Sequence, residues 1–350
     1  MENKSVLIIG PLPPPAGGIS IHIDRLNKQL NKYFEVDYVD EAKSKKIGVY
    51  NIRSFNTAKY LKKIRRADLI YIHSGSHILR VFHILAAKLF SKKVILTIHA
   101  YPFVKSQLVN KLDKVFYSMA TKIIVVNEDI FSRISLPKGK CIIKNAFIPP
   151  SMEIEPELPF FISEWINNRK TKGDVVVCAN AWQLEIFNDE DLYGLDMLVD
   201  VARRLIDKGY AVSFIFNVSS LDKQGDLFEY YRSVIRESGL EESFLLINEK
   251  LSFVKLIQQT DIVLRPTNTD GDALTIREAL FLNRPVLSSD VVKRPDGTLL
   301  FKSRDFNDLE LQLSKLIKGV ESKSVMPLFE PTDQQTVFYK DLINEVISAN

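Results

Sequence analysis

The sequence predicts an α/β protein with two parallel sheets, each covered by helices on both faces. Three observations carry this. Short apolar runs alternate with amphipathic segments through residues 1–150. A Pro-rich, acidic stretch over 148–159 then interrupts the alternation, and it restarts at 174. Strands alternating with helices pair in parallel, and buried parallel strands read as near-continuous runs of Val, Ile and Leu. The chain has 350 residues, enough for two domains with a core each. Their expected limits are 1–150 and 160–330.

In the first half, residues 4–10 read as a buried strand and 11–18 (PLPPPAGG) as a loop. Helix 19–33 follows, with Ile19, Ile23, Leu26 and Leu30 at helical spacing. Then come strand 35–39, a basic helix 56–66, strand 68–72, an apolar helix 78–90, strand 93–98, helix 106–119 and strand 122–126. The second half repeats the rhythm: strand 174–179, helix 193–208, strand 211–217, helix 226–238, strand 243–247, helix 252–259, strand 261–264, helix 272–282 and strand 285–288. A further helix is expected over 334–348.

Composition excludes several classes. Apolar content of 46% and charged content of 26% are globular values. Cys141 and Cys178 lie in separate halves, which gives no disulfide framework and no metal motif. The opening apolar run is too short for a signal peptide, and no run approaches the roughly 20 apolar residues of a membrane span. A cytoplasmic protein is expected. Charge, however, is uneven. Residues 1–150 hold 25 Lys and Arg against 10 Asp and Glu, a balance of +15, and the remainder is at −11. Lys43, Lys45, Lys46, Arg53, Lys59, Lys62, Lys63, Arg65 and Arg66 crowd one region, and on helix 56–66 Lys59, Lys62, Lys63 and Arg66 share a face. This predicts an anionic partner, in first place an anionic membrane surface. Nucleic acid could use the same charge but fits nothing else in the chain.

The most informative stretch runs from Asp261 to Leu280. The apolar Ile262-Val263-Leu264 reads as a strand, Ala273 to Phe281 as a helix, and Asp270-Gly271-Asp272 ends the loop between them. Asp272 is a candidate N-cap, and Gly271 lets a ligand approach the main chain. The helix N-terminus so formed favours an anion. Asp270 and Glu278 stand eight positions apart, roughly 12 Å along a helix.

This segment resembles the signature of retaining GT-B glycosyltransferases of family 4: an acid, seven residues, Glu-Ala, then a Pro-Val strand. Here these are Asp270, Glu278-Ala279 and Pro285-Val286, with Asp where the family has Glu. The resemblance implies the GT-B fold, two Rossmann-like domains facing across a cleft, with helix 334–348 crossing back to the first. It implies that Asp270 holds hydroxyls of a donor sugar and that Glu278 holds the nucleotide ribose. The backbone of Gly271, Asp272, Ala273, Leu274 and Thr275 would hold the diphosphate. Gly17 and Gly18 would bring backbone close to the donor. His99, in Thr97-Ile98-His99, resembles the family's strand-end histidine that contacts the donor sugar. His73 ends the preceding strand and is assigned to the acceptor, whereas His83 falls mid-helix and reads as packed.

One departure stands out. The family's Arg and Lys that grip the diphosphate are missing, because no Arg or Lys lies between Asn180 and Gly194. Arg265 is the first choice to replace them, with Lys293 and Arg294 behind it. A salt bridge from Arg265 to Asp270 or Glu278 is the competing reading.

The resemblance thus implies a retaining glycosyltransferase that uses a nucleotide diphosphate sugar. Its acceptor is expected to be a glycan, lipid-linked on the inner membrane face, in surface-polysaccharide synthesis. No cofactor or metal is implied. Asp270-Gly271-Asp272 serves a helix start rather than a metal clamp, and the five histidines show no zinc spacing. A GT-B epimerase or phosphorylase, and a non-catalytic nucleotide-sugar or glycan-binding subunit, remain open alternatives.

Overall fold

The computed structural model describes residues 4–14, 17–100, 107–134, 136, 138–222, 225–270, 273–322 and 334–349. The chain forms two compact units, Met1–Ile148 with Thr332–Asn350, and Pro149–Pro331.

Unit 1 is built on a seven-stranded sheet. Its strands are β1 (Ser5–Gly10), β2 (Glu35–Asp40), β3 (Tyr50–Asn51), β4 (Leu69–Ile72), β5 (Lys93–Ile98), β6 (Lys122–Val125) and β7 (Cys141–Ile143). Every pairing is parallel, and the order is β3-β2-β1-β4-β5-β6-β7. The connecting helices are α1 (Gly18–Leu30), α2 (Thr57–Arg66), α3 (His77–Leu89), α4 (Gln107–Tyr117) and α5 (Glu128–Arg133). Successive strand residues point to opposite faces, so the sheet feeds two cores. Leu7, Ile9, Ile70, Ile72 and Leu96 meet Tyr60, Ile64, Ile84 and Tyr117 on one side. Val6, Ile8, Leu69, Tyr71 and Ile95 meet Ile23 and Leu26 of α1 on the other. The C-terminal helix Gln334–Ser348 joins this second core through Tyr339, Leu342, Ile343 and Val346. Each such buried aliphatic side chain contributes about 1.5–3 kcal/mol.

Unit 2 holds a six-stranded sheet of β8 (Val175–Ala181), β11 (Val212–Val218), β12 (Phe244–Ile247), β13 (Ile262–Arg265), β14 (Val286–Ser289) and β15 (Leu299–Phe301). It too is wholly parallel, ordered β12-β11-β8-β13-β14-β15. The short hairpin of β9 (Ile186–Phe187) and β10 (Glu190–Asp191) lies between β8 and the next helix. Its two-residue turn, Asn188-Asp189, has left-handed φ values of 53° and 62°, as tight hairpins need. Its helices are α6 (Phe160–Thr171), α7 (Leu195–Asp207), α8 (Gly225–Glu237), α9 (Phe253–Gln259), α10 (Leu274–Phe281) and α11 (Phe306–Glu321); the C-terminal helix of unit 1 is α12.

Several elements go beyond the sequence reading. Edge strands β3, β7 and β15 are two or three residues long, too short for a period to register. Helix α6 buries only Ile162 and Ile166, and so carries a weak stripe. The start of α10 also differs. Ala273 stands at its N-cap without a side-chain hydrogen bond, and Leu274 is the first helical residue. The expected cap Asp272, together with Gly271, lies outside the described residues.

In both sheets the strand order reverses at one point, between β1 and β4 and between β8 and β13. Ligands of such sheets bind beyond the carboxyl ends of the strands at that reversal. In unit 2 the loop after β13 is fastened there: Asn268 N–H donates to Leu192 O at 3.0 Å, and the Gly194 backbone lies against Pro266. Gly194 has φ 69°, and a Cβ added to it would sit 2.3 Å from the Pro266 carbonyl oxygen. Gly194→Ala is therefore expected to cost at least about 2 kcal/mol, from strain plus a backbone clash. Gly209→Ala carries the same strain at φ 80° but meets nothing within 4 Å, and should cost about 1 kcal/mol. Urea unfolding of the two variants checks this; equal losses would refute the clash.

Candidate functional site

The unit 2 site starts from strand β13. Its last residue, Arg265, emerges at the reversal point and forks onto Asp270: Nε donates to Oδ2 at 3.1 Å and Nη2 to Oδ1 at 3.2 Å. Arg294 Nη1 donates to Asp270 Oδ2 at 2.9 Å, and Thr267 Oγ1 donates to the same oxygen at 3.2 Å. Arg294 is itself held by Ser289 O at 3.1 Å, Ser289 Oγ at 3.3 Å and Thr267 Oγ1 at 3.3 Å. Burial alone would raise the Asp270 pKa, but the two guanidiniums outweigh it and hold the carboxyl below its ordinary value. One carboxylate thus faces two guanidiniums.

Arg265 also reaches the two segments that lack the expected cations. Its Nη1 donates to Asn180 O, at the end of β8, at 3.4 Å. Its guanidinium lies 5.3 Å from the ring centre of Tyr193, just before α7. The sequence left open whether Arg265 serves a ligand or a salt bridge; the structure shows the bridge to Asp270 and this reach together. Helix α10 begins beside them. Thr275 Oγ1 donates to Asn180 Oδ1 at 3.3 Å, and Glu278, one turn further on, is 4% exposed. Ala273 is buried and Leu274 half-buried. The sequence offered Arg294, together with Lys293, only behind Arg265 for the diphosphate charge; it lies 24 positions from Asp270.

In unit 1, Gly17 is the N-cap of α1 and Gly18 its first residue. A Cβ at Gly18 would meet nothing within 4 Å, so packing does not demand glycine there. His73 and His99 each follow the end of a strand, β4 and β5, and parallel pairing brings them together. His73 Nδ1 and His99 Nε2 are 3.1 Å apart. His22, on the second turn of α1, completes a cluster with ring centres 4.8 and 5.1 Å from His99 and His73. The sequence reading passed over His22; its signal was position, on the helix that opens at Gly17-Gly18. Arg80 was also passed over. It is buried in α3 and donates to Ser74 O at 2.7 Å and Ala100 O at 3.1 Å, the residues that directly follow His73 and His99. His83 is packed as expected, between Tyr60 Oη at 2.7 Å and Glu41 Oε1 at 2.9 Å.

Among the described residues, this trio is the group that could offer three ring nitrogens to a metal. One nitrogen of each lies within 4.8 Å of the others, and the buried Nε2 atoms of His22 and His73 have no hydrogen-bond partner. Tetrahedral zinc at 2.0–2.1 Å needs nitrogens about 3.3 Å apart, so the trio would have to contract around an ion. The spacing of 51 and 26 residues gives no motif because the sheet, not the local chain, makes the cluster.

All three imidazoles are held neutral. Burial lowers His22 to about 4 despite the bond of its Nδ1 to Ala146 O at 2.6 Å, and burial drives His73 and His99 well below the usual value. The Ala146 carbonyl must accept, so His22 carries its proton on Nδ1. Below pH 6.5 the unfolded chain takes up a proton that folded His22 refuses until about pH 4. Stability therefore falls as pH drops through that window, by roughly 3 kcal/mol for His22 alone. His22→Gln should lose less stability between about pH 7 and about pH 4.5 than the unsubstituted protein. Parallel losses in urea titrations at the two pH values would refute this.

A scan against protein-family models finds no match, and no curated protein matches the chain. Solved structures do. The chain is similar to the glycosyltransferase of Rickettsia africae at 11% identity and a TM-score of 0.74, with 100% of both chains covered. Anabaena HepE, solved in complex with UDP, matches at 14% identity and TM-score 0.71 over 98% of this chain and 99% of that one. Sucrose-phosphate synthase of Thermosynechococcus elongatus matches at 13% and 0.66 over 99% and 100%. The two parallel sheets described above are thus those of the GT-B fold that these proteins share.

Proposed function

We propose that the chain is a retaining glycosyltransferase that moves a sugar from a nucleotide diphosphate sugar to a glycan hydroxyl. The observation that carries the reading is the corner of Arg265, Asp270 and Arg294 beside the start of α10. It supplies positive charge at the reversal point of unit 2, and Arg265 touches both segments where the usual cations are missing. HepE, of similar fold, has been solved with UDP and with UDP-glucose, which supports a uridine donor. In this reading Arg265 and Arg294 face the diphosphate. Glu278 accepts hydrogen bonds from the ribose, and Asp270 contacts the sugar.

The transfer breaks the bond from the anomeric carbon to the β-phosphate oxygen. The acceptor oxygen bonds that carbon on the same face, and its proton passes to the departing phosphate oxygen. No protein nucleophile is required. The chain contributes position and a fixed positive field against the charge that develops on the leaving diphosphate. The reading needs no metal, since guanidiniums meet that charge, and a rate unchanged by chelator is expected. The acceptor is proposed to be lipid-linked, with a place in surface-polysaccharide synthesis.

One observation favours a second reading, a nucleotide-sugar binder without transfer. Asp270 Oδ2 already accepts from three side chains, so a sugar hydroxyl must compete with those donors for its lone pairs. Release of sugar from UDP-glucose by the purified protein separates the two.

Glu278→Ala should weaken UDP binding by about 1.5–3 kcal/mol, the value of charge-assisted hydrogen bonds. Unchanged affinity for UDP and UDP-glucose, measured calorimetrically, would remove Glu278 from the site. Asp270→Asn and His99→Ala should instead lower turnover while UDP still binds. Full turnover in either would cancel that residue's assignment.

A further inference from the structure

Helices α2, α3 and α4 cover one face of the unit 1 sheet, and their inner sides carry Tyr60, Ile64, Ile84 and Tyr117 into its core. The outer side of α3 is also apolar. Ile78, Phe82, Leu85 and Leu89 recur at spacings of four, three and four, so they form one stripe, and they are 43–72% exposed. Leu112 and Val115 on α4 and Phe55, at the turn before α2, are exposed as well. Single exposed apolar residues need no explanation, but a stripe of large ones marks an interaction surface.

Charge identifies the occupant. Lys59, Lys62, Arg65 and Arg66 on α2 and Lys111 and Lys114 on α4 are exposed on either side of α3. The three helices contain a single acid, Asp113, which is buried. Lysine is depleted at protein interfaces, and a protein partner would face repulsion among these cations. An anionic leaflet takes both features, with aliphatic side chains at the boundary of the acyl chains and cations among the headgroups. We propose that the outer face of α2, α3 and α4 docks on an anionic lipid bilayer, with α3 lying in the interface plane. The anchor is thus the α3 stripe, with the basic face of α2 as its electrostatic flank. Only the purpose of docking, access to a lipid-linked acceptor, rests on the function proposed above.

The full-length protein is sedimented with phosphatidylcholine vesicles, with and without roughly a third of phosphatidylglycerol. Binding to the anionic vesicles, weakened by salt, is expected. The combined variant Ile78→Ser, Leu85→Ser and Leu89→Ser should bind at least about tenfold more weakly. Lys59→Ser with Lys62→Ser should weaken binding to anionic vesicles alone. A tryptophan placed by Leu85→Trp should blue-shift on vesicles, whereas one placed by Leu311→Trp, exposed on α11, should not. Three results would overturn the proposal: no binding to any vesicle, undiminished binding by the serine variant, or self-association that the serine variant abolishes, which would assign the stripe to a second copy. Thermal stabilisation by UDP-glucose is measured on every variant. Vesicle binding lost with that stabilisation intact counts against docking alone; vesicle binding intact without any stabilisation counts against the function.

Discussion

Parallel pairing is the constraint on which both sites depend. Strands β8 and β13 run side by side in one direction, with Val177 opposite Ile262 and Cys178 opposite Val263. Every strand of such a sheet releases its chain at the same edge, and a helix must carry the chain back before the next strand can pair. The carboxyl ends of β8 and β13 therefore meet, and Arg265 can donate to Asn180 O across 85 positions of sequence. Unit 1 obeys the same rule. Gly10 ends β1 beside His73, and a Cβ there would lie 3.1 Å from that of the histidine. The helices that return the chain also dictate what lines each edge, which is how His22 of α1 reaches histidines from β4 and β5.

The two edges differ in charge. That of unit 2 holds two arginines around one aspartate, and a buried charge is tolerated only when paired and hydrogen-bonded. Arg294 meets this requirement through Ser289, Thr267 and Asp270 together. Such an arrangement is rigid before a ligand arrives, which is what electrostatic stabilisation of a developing charge requires. That of unit 1 holds neutral imidazoles, each with one donor and one acceptor nitrogen. In the proposed reading the guanidiniums of Arg265 and Arg294 face the anionic end of the donor.

Helix α3 shows what a pattern leaves open. The sequence reads 78–90 only as an apolar helix, and that composition does not say which of its faces are covered. The structure buries only Ile84, Ala87 and their neighbours and leaves the opposite stripe in solvent. Amphipathicity is judged against an assumed surrounding, and whether a second layer covers a helix is a property of the assembled domain.

What the sequence alone determined is the class of fold and the local unit at 261–288. Strand and helix periods are local, and the acid, Glu-Ala and Pro-Val signature sits within one strand–loop–helix–strand segment. The positions of His73, His99 and Arg265 at strand ends were legible for the same reason. Only the tertiary structure decided the company these residues keep. His22, Arg80 and Arg294 contribute through contacts to residues 20 or more positions away, brought near by sheet order rather than by spacing. The short edge strands and the weakly patterned helix α6 likewise owe their existence to neighbours already in place. Long-range pairing sets which side chains share an edge, and no local period encodes it.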